Sequence, residues 1–126
     1  DIVEDLIAKN QKRGEPNSIN FKKLNILTSS LPIVDLIFSR DCLVHFSYED
    51  INRAKESVKK SNSKYWMTTT FPKHKNYDII TGDWRPINLQ AAPFSFPEPL
   101  ALYNEQTQED ARYEDKSLAI WRVSEL

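Results

Sequence analysis

The segment Val34 to Phe46, reading VDLIFSRDCLVHF, constrains the fold of this chain more than any other. Its apolar run is cut off by a polar Ser39-Arg40-Asp41 step, and His45 follows four residues after Asp41. An apolar run of strand length that ends in polar residues is the pattern of a buried central strand in a parallel sheet. Open α/β sheets bind their ligands just outside the carboxyl ends of such strands. Chemistry is therefore expected near Arg40, Asp41 and His45.

Around that strand the chain alternates element types. Ile2, Leu6 and Ile7 give an apolar face to a helix over about Ile2 to Arg13, with Lys9, Lys12 and Arg13 in its last turns and Gly14 as a stop. Glu15 to Ser18 reads as a turn, and Ile19 to Ile26 as a short strand with Ile19, Phe21 and Leu24 inward. Thr28 to Ser30 form a loop closed by Pro32, ahead of a strand at Val34 to Ser39. Ser47 and Asp50 make a capping-box variant that opens a helix to about Lys60, with Ile51, Ala54 and Val58 on one side and Lys55, Lys59 and Lys60 on a solvated face. A strand over about Lys64 to Thr70 comes next. The proline- and aromatic-bearing stretch from Phe71 to Pro99 has no period, and two strand-like runs, Leu100 to Glu105 and Leu118 to Val123, close the chain around a charged loop. Strand, helix, strand and then two consecutive strands predict an α/β sheet that is mainly parallel with an antiparallel C-terminal strand pair at one edge.

Composition narrows the function classes. At 126 residues and 40% hydrophobic content the chain suits one globular domain. Lys plus Arg number 17 against 18 for Asp plus Glu, so no general attraction to nucleic acid or anionic lipid is expected. The lone Cys42 cannot form an internal disulfide, which fits a reducing cytoplasm and a packing role for the thiol. No apolar run reaches the roughly 18 residues of a membrane span. No zinc-like Cys/His spacing is present, so no metal site is expected.

The order of elements, with DIVEDLIAKN, FKKLNIL, VDLIFSRDCLVHFS and KYWMTTTFP, resembles the later part of a class I S-adenosylmethionine-dependent methyltransferase. The resemblance covers most of residues 1–70 and, in topology only, the closing strand pair. It implies a partial Rossmann-like sheet and methyl transfer to a small-molecule acceptor, with S-adenosylmethionine as cofactor. By resemblance Asp1 is the ribose-binding acid, and Ile2 packs on the adenine. Asn25 and Ile26 follow the third strand of the family, where aspartate is frequent. Asn25 departs from that pattern; its amide oxygen can still accept from an adenine amine, and it can equally be a turn residue. Asp1 can equally be a helix N-cap. Ser39, Arg40 and Asp41 resemble the loop after the fourth strand, which faces the reaction centre.

Methyl transfer requires an aligned acceptor and, where the acceptor carries a proton, a base to remove it. His45 is the candidate base, with Asp41 expected to orient it if the segment turns helical after Ser39. A lone histidine beside apolar residues can instead be structural. His74 is a weaker alternative. In the family, the stretch over about 71–99 is where acceptor-binding insertions lie. Tyr77, Trp84, Arg85, Asn88, Phe94 and Phe96 suit a substrate cover there, and Trp84 and Arg85 are the expected substrate contacts unless they only pin the loop to the core.

Two features of the family are missing. Only Gly14 and Gly82 occur, so there is no glycine-rich turn after a first strand, nor that strand itself. The chain is therefore expected to be a single, incomplete C-terminal portion of a methyltransferase domain, inactive alone and a poor binder of S-adenosylmethionine. Its open sheet edge is expected to pair with another chain. The alternatives are a non-catalytic α/β binding or interaction module, and a hydrolase using Asp41 and His45. The latter lacks a nucleophile elbow.

Overall fold

Hydrophobic period and capping account for most of the elements. The computed structural model describes residues 2–12, 19–108 and 110–126. Helix α1 spans Glu4–Gln11 and buries only Ile7, because Ile2 and Leu6 stay in solvent. Its expected end at Arg13, the stop at Gly14 and the turn at Glu15 to Ser18 lie outside the described residues. No strand forms over residues 19–26. Ile19 and Phe21 alternate with Asn20 and Lys22 there, but no neighbouring described strand supplies a ladder, and Ile19 remains exposed. Asn25 instead starts a turn, its carbonyl accepting from Thr28 and Ser29 and its side chain from Leu27.

Strand β1 (Leu36–Ser39) leads through a 3-10 turn at Leu43–His45 into helix α2 (Tyr48–Lys60), and then to strand β2 (Tyr65–Thr70). The Ser47 hydroxyl accepts from the Asp50 amide at 3.2 Å, as the capping pattern predicts. The return half of the box runs through Thr81. Its hydroxyl accepts from the Ser47 amide at 2.9 Å and donates to Asp50 Oδ2 at 2.6 Å. Ile51, Ala54 and Val58 are buried against the sheet, where Trp66 and Trp121 form the floor of the core. Truncating either tryptophan to alanine costs about 3–5 kcal/mol by the usual cavity penalty.

Strands β3 (Ala101–Asn104) and β4 (Ser117–Arg122) complete a four-stranded mixed sheet of order β1-β2-β4-β3. The expectation of a mainly parallel sheet is corrected here. Only β1 and β2 pair in parallel, whereas β4 runs antiparallel to both β2 and β3. The expectation of a buried central strand at Val34 to Ser39 is corrected too: β1 takes one edge of the sheet with Leu36 and Phe38 exposed, because it pairs with β2 alone. Between the last two strands, burial decides the order. β4 carries Leu118, Ala119, Ile120 and Trp121 in succession and takes the inside position, while β3, with Leu102, Tyr103 and Asn104 exposed, takes the edge.

The two faces of the sheet differ. α2 and residues 85–96 cover the face of Trp66, Thr68 and Trp121. On the other face Phe38, Met67 and Ile120 lie in register across three strands, flanked by Leu36, Leu118 and Tyr103. Phe38 is 56% exposed and Tyr103 58%. Among the described residues, no backbone hydrogen bond reaches the outer edge of Leu36–Ser39. No described helix is long and apolar enough to cross a membrane.

Candidate functional site

Parallel pairing of β1 with β2 brings their carboxyl ends together, so Arg40 and Asp41 emerge beside Phe71. A cleft of about 460 Å³ opens there. Arg40, Asp41, His45 and Phe71 line one part, and Trp84, Tyr113 and Lys116, with Thr107 and Asp110, line the rest.

The turn after β1 is sharp. Asp41 sits in the left-handed region at φ 51°, which aspartate tolerates better than most residues, and its amide donates to Thr69 Oγ1 at 2.8 Å. The Asp41 carboxylate accepts from Lys116 Nζ at 2.8 Å. Arg40 meets Glu105 through Nε and Nη2, the latter at 2.8 Å, and Lys116 Nζ lies 3.7 Å from the same carboxylate. The result is an alternating cluster of two cations and two anions, of which Arg40, Asp41 and Lys116 line the cleft and Glu105 lies behind them. Its partners come from the turn after β1, from the loop after β3 and from the residue ahead of β4.

His45 is held by main chain. Its Nδ1 lies 2.9 Å from the Asp83 carbonyl. A carbonyl can only accept, so Nδ1 carries the proton and Nε2 of the neutral ring presents a lone pair. Asp41 therefore does not orient this ring; the left-handed step at Asp41 and the short 3-10 turn replace the expected helix.

The histidine turn is clasped from outside. Gly82 donates to the His45 carbonyl at 2.8 Å, and the Arg85 amide to that of Val44 at 3.1 Å. The Arg85 guanidinium, fully buried, donates to the carbonyls of Leu43, Phe46 and Tyr77. All four carbonyls from Leu43 to Phe46 are thus satisfied by residues 82–85. Gly82 has φ 111°, a conformation that side-chain-bearing residues rarely adopt. Burial lowers the Arg85 pKa, partly offset by Tyr48, yet a guanidinium keeps its proton in proteins. Trp84, between these clasp positions, is directed to the cleft. Phe71 and Tyr113 meet it nearly perpendicularly, with centroids 6.2 and 5.0 Å away.

Of the residues singled out in the sequence, Arg40, Asp41, His45 and Trp84 meet in the cleft. Arg85 lies behind it as the pin of the loop. Ser39 is beneath the rim, its hydroxyl accepting from Trp66 Nε1 at 2.8 Å and donating to Thr68. Ile2 is exposed on the approach to α1, and Asn25 and Ile26 belong to the separate turn. Asp1 lies outside the described residues. Phe94 and Phe96 are core residues, and Asn88 ties its own loop through Asn76 and Pro72. His74 contacts buried Asp115 at 3.2 Å and packs on Phe71 and Tyr113. Sequence reasoning missed Phe71, Glu105, Tyr113 and Lys116. Tyr113 and Lys116 stand in a charged connection with no period to mark them, and Glu105 is the last residue of the strand-like run before it.

The polar side chains proposed for S-adenosylmethionine are committed elsewhere. Asn25 Oδ1 closes a turn, the Ser39 hydroxyl bridges Trp66 and Thr68, and Arg40 is engaged by Glu105. Among the described residues no cluster of three or more His, Cys, Asp or Glu is gathered for a metal ion. Comparison with protein-family models and with curated proteins gives no match for this chain.

Proposed function

We propose that this chain carries the acceptor side of an S-adenosylmethionine-dependent methyltransferase acting on a small molecule, with His45 as the base. The supporting observation is the His45 tautomer. Nδ1–H is fixed on the Asp83 carbonyl, so the lone pair of Nε2 is available beside Asp41 and Trp84 in the same cleft. An acceptor hydroxyl or amine set against Nε2 passes its proton there as the acceptor atom becomes nucleophilic, a step worth about 10²–10⁴-fold in rate. Asn25, Ser39 and Arg40 hold hydrogen bonds within the fold, so the donor has to be met by other groups than these three side chains in their present partnerships.

Two further statements belong to the same proposal. The setting is cytoplasmic, in keeping with the single cysteine. The bare edge of β1, beside exposed Leu36 and Phe38, pairs with a second copy of the chain, because unpaired strand donors and acceptors next to apolar side chains favour added strands.

Calorimetric titration of the protein with S-adenosylmethionine, with the chain's upstream coding sequence included where one exists, tests the proposal. Saturable heat, together with transfer of labelled methyl that falls in His45→Ala, is expected. Absence of binding would leave the non-catalytic binding module as the better description.

A further inference from the structure

Resting on the proposal above, the geometry points to the substrate class: the cleft takes a neutral, polyhydroxylated ring of pyranose type, with one face laid on Trp84 and a hydroxyl directed at His45 Nε2. Trp84 is 42% exposed in the cleft and is braced by Phe71 and Tyr113 through near-perpendicular contacts, so its ring is a stacking surface that needs no ordering on binding. Axial C–H bonds of a pyranose carry partial positive charge and match the negative face of an indole.

Charge on the floor selects for neutrality. Lys116 is neutralised by Asp41 and Arg40 by Glu105, and across the cleft Asp110 is taken up by Arg112 at 2.7 Å. An anionic or cationic ligand would have to displace one of these partners. A flat aromatic phenol fits no better, because its apolar surface would strip water from the two ion pairs and return no hydrogen bonds. A ring bearing several hydroxyls can stack by one face and still donate to Asp41 and accept from Lys116 with its rim. The cleft, at about 460 Å³, is large enough for a monosaccharide unit.

Trp66 and Trp121 are buried, so Trp84 is the tryptophan that a ligand in the cleft reaches. Fluorescence titration of the protein with methyl β-D-glucopyranoside, sodium glucuronate, glucosamine and phenol is the test. The expected result is saturable quenching by the neutral glycoside at millimolar concentration and a weaker response to the other three. Saturation-transfer NMR on the glycoside, which does not depend on the Trp84 fluorophore, should show at least a tenfold loss of binding in Trp84→Ala with retention in Trp84→Phe. Preference for the anion, the cation or the phenol, equal binding by Trp84→Ala, or no binding of any of the four overturns the assignment. Glycoside binding without S-adenosylmethionine binding would remove the methyltransferase proposal and leave the substrate class standing. The converse would remove the substrate class alone.

Discussion

The ring of His45 and the main chain of Asp83 are joined by a 2.9 Å contact from Nδ1 to the carbonyl oxygen. The bond spans 38 positions of sequence and fixes which ring nitrogen is free for chemistry. In the neutral protein, nitrogen-15 NMR is expected to show Nδ1 protonated and Nε2 bare. The opposite tautomer would remove His45 as a base. With an acceptor in hand, His45→Ala should lower kcat by about 10²–10⁴-fold while leaving the urea midpoint nearly unchanged, since the ring is exposed.

Arg85→Met should be far more damaging to the fold than a surface substitution. It removes the Arg85 donors from the part-buried carbonyls of Phe46 and Tyr77 and one of two donors from that of Leu43, which keeps the Phe46 amide, at a cost of about 2 kcal/mol in total once methionine packing is credited. Urea denaturation measures this loss. A change below about 0.5 kcal/mol, the range of ordinary surface substitutions, would show that the clasp contributes little.

Sedimentation velocity should reveal concentration-dependent dimers of the protein, and Phe38→Lys should return them to monomer. Phe38 is 56% exposed and faces out beside the bare strand edge, so the substitution removes an apolar contact and adds a charge that blunts edge pairing. Its effect on stability should stay within about 0.5 kcal/mol. A wild-type protein that is monomeric at every concentration would refute self-association.

Burial raises the Cys42 thiol above its ordinary pKa of 9.0. Above about pH 9 the unfolded thiol loses its proton while the folded one keeps it, so the folded state binds more protons there and stability declines as pH rises. The contribution is complete below that pH and disappears as pH passes through the folded pKa. Comparing urea midpoints of wild type and Cys42→Ala between pH 8 and 10.5 isolates it, and the wild type should lose more. Parallel curves for the two proteins would contradict the shift.

Much of the scaffold was legible residue by residue. The spacing of Ile51, Ala54 and Val58 with Ser47 as cap marked α2, and β2 and the closing pair fell close to where their apolar runs lie. The run at Ile19 to Ile26 misled because alternation alone does not make a strand; a ladder partner does, and the sheet offers none there. At the cleft, Arg40, Asp41, His45 and Trp84 could be named from their places after a strand and in an aromatic loop. Tyr113, Glu105 and Lys116 could not, since a charged connection and its flank look the same whether their side chains are solvated or paired.

The amino-acid sequence determined what short-range physics controls: helix α2 and its cap, the apolar strands, and the polar step at which β1 ends. Tertiary structure alone decided that β4 lies inside the sheet, that Lys116 meets Asp41 across 75 positions, and that Asp83 rather than Asp41 orients His45. The reason is that hydrophobic period and capping act within a few residues. Strand order and ion pairing depend on which distant segments the burial of Trp66 and Trp121 brings together.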